Sequence, residues 1–148
     1  MKYILIILLL ISFVSCSEFD EDNKDLCVSV FCGEIDANQV NFTVYNNTNI
    51  DFDIFIWDVG GTKDTVELFS LKQYTCWYNY DSLNTAYIYA YGESGNNKYA
   101  LDTLVMDQDF VRNLTKGNYA LEIYRDGSSG NLSHLLIDNY SGECREFR

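Results

Sequence analysis

The sequence predicts an all-β sandwich, on three observations. Short runs rich in β-branched and aromatic residues recur along the chain, and several alternate apolar and polar positions as half-buried strands do. Residues that favour turns, such as Gly60 and Gly61, stand between these runs. Aromatic residues make up 16% of the 148 residues, too large a share for a disordered chain. Many short strands separated by turns are typical of two sheets packed face to face.

The predicted elements follow one another in chain order, and each has its own signal. Residues 39–45 alternate throughout and residues 51–57 alternate in their first half, so the turn-forming residues 46–49 between them predict a hairpin. Residues 107–114 are the only predicted helix, one or two turns that an Asp cap could start and Gly117 could end. The remaining strands are predicted at 64–69, 73–78, 85–91, 99–105, 119–124 and 132–137.

Residues 110–124 resemble the closing segment of many bacterial extracellular immunoglobulin-like (Ig-like) modules. The shared features are Leu114, a turn, Gly117, Tyr119 and an alternating strand, and such modules often close with a cysteine, here Cys144. The resemblance implies an Ig-like antiparallel β-sandwich of about seven to nine strands over residues 27–148. It carries information about fold and does not fix function.

The first sixteen residues predict where the protein is sent. One cation, an apolar run too short to span a bilayer and a small residue directly before Cys16 are typical of a secretory signal peptide at 1–15. Residues 13–16 resemble the lipobox of bacterial lipoproteins, with Phe13 where leucine is usual. The resemblance implies cleavage before Cys16, acyl chains on that residue and anchoring in a membrane. An ordinary signal peptide that happens to contain a cysteine is the alternative.

Residues 16–26 contain an acidic run that cannot bury enough apolar surface to fold, so we expect a tether. The run resembles the export signal that follows the lipidated cysteine of Bacteroidota-type surface lipoproteins, although Phe19 interrupts it. The resemblance implies an outer-membrane location with exposure at the cell surface. A solvated spacer without a sorting role is equally compatible with the composition.

The formal net charge of −12 limits the partners of the chain. Nucleic acid and anionic lipid headgroups would be repelled, because no basic patch is visible that could release their counterions. The predicted membrane contact is therefore the lipid anchor alone, and a surface protein or a glycan is the expected ligand.

The remaining four cysteines favour disulfides in an oxidising compartment. In a strand Cys27 and Cys32 would point to opposite faces, which disfavours a local bridge between them. Of the possible pairings we prefer Cys32 with Cys76, as a buried link between sheets, and Cys27 with Cys144, as a staple between the ends of the domain. A zinc site is the rival interpretation, but a Cys-x-x-Cys pair is missing and the chain has one histidine.

The chain gives little sign of catalysis. His134 follows Ser133 in a predicted strand, where neighbouring side chains point to opposite faces and cannot form a dyad, and we expect His134 on the solvent side. The Asp-x-Asp pairs at 51–53 and 107–109 lack the rest of a calcium loop and are interpreted as solvated acidic surface. We therefore predict no enzyme, no metal and no cofactor.

A row of tyrosines is the candidate binding site. Tyr87, Tyr89 and Tyr91 share one side of a strand, and they stand outside if Ile88 and Ala90 face the core. Such rows stack against sugars or protein partners, although they also cover sheets for stability alone. We expect the predicted hairpin to add Phe55 and Trp57 to the row, with Phe52, Ile54 and Ile56 on its opposite face.

Thr65, Ser82 and Thr103 each follow an aspartate and precede an aliphatic residue. These three sites resemble the O-glycosylation sequon of Bacteroidota-type exported proteins, while chance and ordinary turn chemistry are the alternative. Taken together, the sequence predicts a lipid-anchored, non-enzymatic binding or accessory module. A structural envelope protein is the alternative, and an exposed aromatic patch would favour the first.

Overall fold

A computed structural model describes residue 30 and residues 32–104, 111–127 and 131–142, with only the backbone described at 102–104. Cys16, Cys27, Cys144 and the predicted signal peptide and tether lie outside these residues. The described residues contain ten strands and no helix, which confirms the all-β sandwich. The strands are β1 Val40–Asn46, β2 Phe52–Val59, β3 Thr62–Phe69, β4 Tyr78–Tyr80, β5 Leu83–Asn84, β6 Tyr87–Ser94, β7 Asn97–Leu104, β8 Asn113–Leu114, β9 Gly117–Arg125 and β10 Leu132–Asp138.

The strands form two four-stranded sheets and one short pair. The first sheet has the order β10-β9-β1-β4, the second has the order β3-β2-β6-β7, and β5 pairs with β8. Strands β1 and β9 run parallel, with Val40 opposite Gly117, whereas all other named pairs are antiparallel as predicted. The predicted turn at Gly60–Gly61 joins β2 to β3, and both glycines have a positive φ that suits a tight hairpin.

The hydrophobic core lies between the two large sheets. Strand β1 contributes Val40, Phe42 and Val44, all 1% exposed or less, and the facing sheet contributes alternate residues of β2 and β6. Their inward side chains exclude water from both sheets at once, which is the main stabilising contribution in a sandwich. The other main members are Phe52, Phe55, Trp57, Val59, Ile88, Ala90, Leu121 and Ile123.

The predicted hairpin between the first two strands is wrong. Strands β1 and β2 belong to different sheets, so residues 46–49 carry the chain from one sheet to the other. Asn46 is fully buried there, and its side-chain amide donates to the carbonyl oxygens of Ile50, Phe69 and Ser70. The turn residues correctly indicated a turn, but their local chemistry does not determine which edge the next strand joins.

The pairing of Cys32 with Cys76 is confirmed, but its predicted position between the sheets is wrong. Both cysteines lie beside the first sheet, where Cys32 is exposed and the Trp77 amide donates to the Cys32 carbonyl oxygen at 2.9 Å. The bridge ties the residues before β1 to the segment 73–77. That segment is strand-like only at Tyr74, which bridges Tyr45, so the predicted strand 73–78 is mostly irregular.

The second half of the predicted helix is wrong, and its first half lies outside the described residues. Asn113 and Leu114 form β8 and pair with β5. The Arg112 amide donates to the Thr85 hydroxyl at 2.8 Å, and Leu114 is buried in the main core. These distant partners hold the segment extended, and they outweigh its local helix signals.

His134 is also placed differently from its prediction. It lies opposite the buried Ile123 in β10, on the same side as Leu132 and Leu136, which pack in or against the core. Burial lowers the pKa of His134 below its ordinary value. This histidine is a half-buried inner residue and not a solvent-facing one.

Candidate functional site

The outer faces of the two sheets differ in how they are covered. On the first sheet a second aromatic cluster buries the outward residues of β1, with Tyr45 stacked on Tyr74 at 4.4 Å and Tyr74 on Tyr140 at 5.3 Å between ring centres. Trp77 and Val30 complete this cover. Burial raises the pKa of the Tyr74 hydroxyl well above its ordinary value. The described residues place no such cover on the second sheet.

The tyrosine row lies on that uncovered face, as predicted. Ile88 and Ala90 are 2% and 0% exposed and point into the core, whereas Tyr87, Tyr89 and Tyr91 are half-buried on the opposite side of β6. The alternation of β6 is regular, because each outward position carries a polar or amphipathic residue and each inward position a small or aliphatic one. The placement of the row is therefore confirmed, and its binding role stays a prediction.

Phe55 and Trp57 do not belong to this row, and their prediction as binding residues is wrong. They are 0% and 1% exposed and point into the core. The regular alternation of β2 would put Phe52 on the opposite side, yet Phe52 is also buried, so the strand changes phase between the two phenylalanines. Asp53 and Ile54 both face outward at this change.

The neighbouring strand β3 changes phase at the same level. Phe52 is opposite Phe69 and Ile54 is opposite Glu67, and Leu68 has a φ of 54°. This backbone conformation costs a residue with a Cβ atom about 1–2 kcal/mol. It turns Leu68 out to 77% exposure while Phe69 turns inward. The consequence is an additional apolar residue beside Ile54 at the outer face.

The outer residues of the second sheet form a regular grid, which we call the outer face. At its middle level Tyr91 lies opposite Ile56 on one side and Ala100 on the other, and Ile56 lies opposite Thr65. At one end Asp58 lies between Lys63 and Tyr89, and at the other end Ile54 lies between Glu67 and Glu93. Apolar and aromatic groups therefore occupy the centre of this face, and charged groups surround them.

The polar groups beside Tyr91 fix its position. The Tyr91 hydroxyl donates a short hydrogen bond to Glu93, whose carboxylate also lies 3.6 Å from the Lys98 ammonium group. The hydrogen bond to Glu93 raises the pKa of Tyr91, and that bond and Lys98 lower the pKa of Glu93. The Tyr91 ring is thus held in one orientation, whereas the hydroxyl of Tyr89 makes no hydrogen bond to a described residue.

Beyond the outer face, the side chains of the described residues and the clefts between them are the other places for a site. No three His, Cys, Asp or Glu side chains among them lie close enough to hold a metal ion. Open clefts of about 400 Å³ lie between residues 47–49 and 125–127 and beside Ile35 and Tyr140, away from every predicted binding residue. No stretch of the described residues forms a helix long and apolar enough to cross a membrane.

The predicted modification sites have different environments. Thr65 is exposed in β3 on the outer face, opposite Ile56, and Ser82 is exposed just before β5. Thr103 lies opposite Ile88 in β7, where only the backbone is described.

Sequence reasoning missed Ile54, Ile56 and Leu68 as outward residues. The run from Phe52 to Trp57 has apolar side chains at both even and odd positions, so alternation alone could not decide which of them face the core. The aspartates at 51 and 53 were one available signal, because a strand that places Asp53 outward must change phase to bury both Phe52 and Phe55.

Comparison with known proteins leaves the family open. No protein-family model matches the chain, and no curated protein matches it. Among solved structures, the chain is similar to an NMR structure of a protein from Eubacterium rectale, with 12% identity and a TM-score of 0.48. The match covers 74% of this chain and 99% of that protein.

Proposed function

We propose that this protein is a lipid-anchored, non-enzymatic binding module of the bacterial outer membrane that uses the outer face of its second sheet. Cys16 carries the lipid, the acidic tether separates it from the domain, and an Ig-like sandwich presents the face to a surface protein or glycan. The observation that supports this proposal best is the contrast between a covered first sheet and a second sheet whose aromatic row has no cover among the described residues.

The composition of the outer face fits a binding surface. Tyrosine is enriched at protein interfaces, and an apolar centre with a charged rim is their usual arrangement. Here Tyr91 and Ile56 form the centre, and Lys63 and Glu67 stand at one edge. Each of these groups can contact a partner without a rearrangement of the fold, because the backbone of the sheet already fixes their spacing.

A structural envelope role is the second candidate, and one observation favours it. The three tyrosines are half-buried by their own neighbours, and the Tyr91 hydroxyl is held by Glu93. Rows of this kind also stabilise a sheet through cross-strand contacts. A glycan on Thr65 would add to this second case, because it would stand on the outer face and exclude a partner from it.

Tyr89→Ala separates the two roles. On the binding proposal the variant keeps a thermal midpoint close to that of the wild type, since Tyr89 is half-buried and its hydroxyl makes no hydrogen bond to a described residue. Its affinity for whole cells, extracted surface glycans or candidate surface proteins should fall about 30-fold, the loss expected for an interface aromatic worth about 2 kcal/mol. Thermal unfolding and binding are measured on the same preparations.

Tyr124→Ala is the matched control, because Tyr124 is a half-buried tyrosine of β9 in the first sheet, opposite Ser133. It should leave binding unchanged. A stable Tyr89→Ala variant that binds as well as wild type, or one that loses its fold, would favour the structural role.

Cys16→Ala tests the anchor. The variant should lose incorporation of a labelled fatty acid and leave the membrane fraction, because several acyl chains on one residue are needed for firm anchoring. Ser17→Ala is the control, since it changes the neighbouring residue and leaves the thiol. Unchanged labelling and unchanged membrane retention of Cys16→Ala would contradict the lipoprotein proposal.

A further inference from the structure

The charges at three corners of the outer face alternate in sign. Lys63 and Glu67 stand at the two ends of the β3 edge. On the opposite edge Lys98 lies at the level of Glu67. Glu67 therefore has a positive charge both along its own strand and across the sheet.

These charges are available to a partner. Among the described residues neither Lys63 nor Glu67 has a salt bridge, and the Lys98 side chain is 71% exposed although it lies near Glu93. The described side chains that face outward carry charges of both signs: positive at Lys63 and Lys98, and negative at Asp53, Asp58, Glu67 and Glu93. A second copy can therefore meet attractive charge pairs on this face, although the chain as a whole has a net charge of −12.

We infer that this face binds a second copy of the same chain, around a two-fold axis that runs parallel to the strands. The inference rests on the proposed function, because it takes the same outer face as the binding surface and names the partner. Isologous contacts around a two-fold axis are the commonest way in which proteins form dimers. Such a contact requires a surface that is complementary to itself.

The outer face meets that requirement. Rotation about an axis along the strands places β3 of one copy over β7 of the other at the same level. Glu67 then faces Lys98 of the second copy, and Lys98 faces Glu67 of the second copy in return. At the centre Ile56 faces Tyr91 of the second copy, so that apolar groups meet apolar groups. Two sheets packed in this way keep their strands within about 30° of each other.

The size of the face sets the expected affinity of the dimer, and the position of the tether sets the expected direction of its two-fold axis. Four strands of eight residues cover roughly 500 Å² per copy, at the low end for specific interfaces, so we expect micromolar association. A two-fold axis along the strands keeps the amino-terminal ends of both copies at one level. Two chains anchored in the same membrane need that arrangement, and anchoring raises their effective concentration.

A charge swap tests the dimer by analytical ultracentrifugation of the full chain carrying Cys16→Ala, which removes the lipid. Lys98→Glu alone and Glu67→Lys alone should each weaken dimerisation about tenfold or more, because each places like charges opposite one another twice. The double variant Glu67→Lys with Lys98→Glu should restore the dissociation constant to within about threefold of the parent. Lys116→Glu is the matched control, since it makes the same charge change in an exposed turn before β9.

Two results would overturn the inference. The first is a parent chain that stays monomeric up to about millimolar concentration. The second is a double variant that dimerises as weakly as the single variants, although all the variants have the same thermal unfolding midpoint as the parent. Loss of cell binding in Tyr89→Ala would still support the proposed function in either case. A concentration-dependent dimer with a rescued charge swap supports the inference even if cells and glycans do not bind.

Discussion

Leu68 and Asn46 show how single residues decide the shape of the outer face. The buried amide of Asn46 holds the carbonyl oxygens of Phe69 and Ser70 at 3.1 Å, and the Lys72 amide donates to the Asn46 carbonyl oxygen at 2.8 Å. This network fixes the chain just after Leu68, where the backbone has a positive φ. Asparagine in a turn is easily predicted from sequence, but its burial and its partners some 25 residues away are not.

Leu68→Gly should be more stable than Leu68→Ala, which is the reverse of the usual order of glycine and alanine in a strand. Glycine adopts positive φ without steric cost, and the leucine side chain is 77% exposed, so little burial is lost. We expect the free energy of unfolding of Leu68→Gly, measured by urea denaturation, to be about 1 kcal/mol higher than that of Leu68→Ala.

The comparison of the two variants isolates the effect of the backbone conformation on the free energy of unfolding, because both variants remove the exposed leucine. A Leu68→Gly variant less stable than Leu68→Ala would show that the left-handed conformation at this position carries no strain. The phase change of β3 would then need another cause.

At the scale of elements, strands with clear alternation were predicted well and contacts between elements were not. Residues 85–91 and 119–124 fall within β6 and β9 apart from one or two residues at their ends, because their inward and outward positions differ sharply in polarity. The inward side chains of β2 were assigned wrongly because apolar residues stand at both its even and its odd positions. Pattern reasoning therefore located the tyrosine row but not Ile54 and Ile56.

The errors at 46–49 and 111–114 have one physical origin. Turn and capping residues indicate only the local conformation of the backbone. The strand that pairs with each segment lies elsewhere in the chain, since β1 pairs with β9 and β4, and β8 pairs with β5. Tertiary contacts of this kind outweigh local propensity. Opposite strand faces disfavoured a bridge between Cys27 and Cys32, and the pairing of Cys32 with Cys76 was preferred among those left open, but its position needed the fold.

At the scale of the whole molecule, the sandwich divides its aromatic residues between three places. One set fills the core between the sheets, a second seals the outer face of the first sheet, and the tyrosine row stands on the second sheet. The outer face combines this row with charged groups of both signs. The proposed function therefore depends on that face being the surface that a partner covers.

Hydroxyl-radical footprinting of the individual tyrosines tests this claim most directly. The purified chain is labelled alone at low concentration and again when bound to the cells that export it, and oxidation of each tyrosine is measured by mass spectrometry. The account predicts that oxidation of Tyr89 and Tyr91 falls severalfold on binding while Tyr124 on the first sheet is unchanged. Unchanged oxidation of Tyr89 and Tyr91 in the bound state, or protection confined to Tyr124, would contradict it.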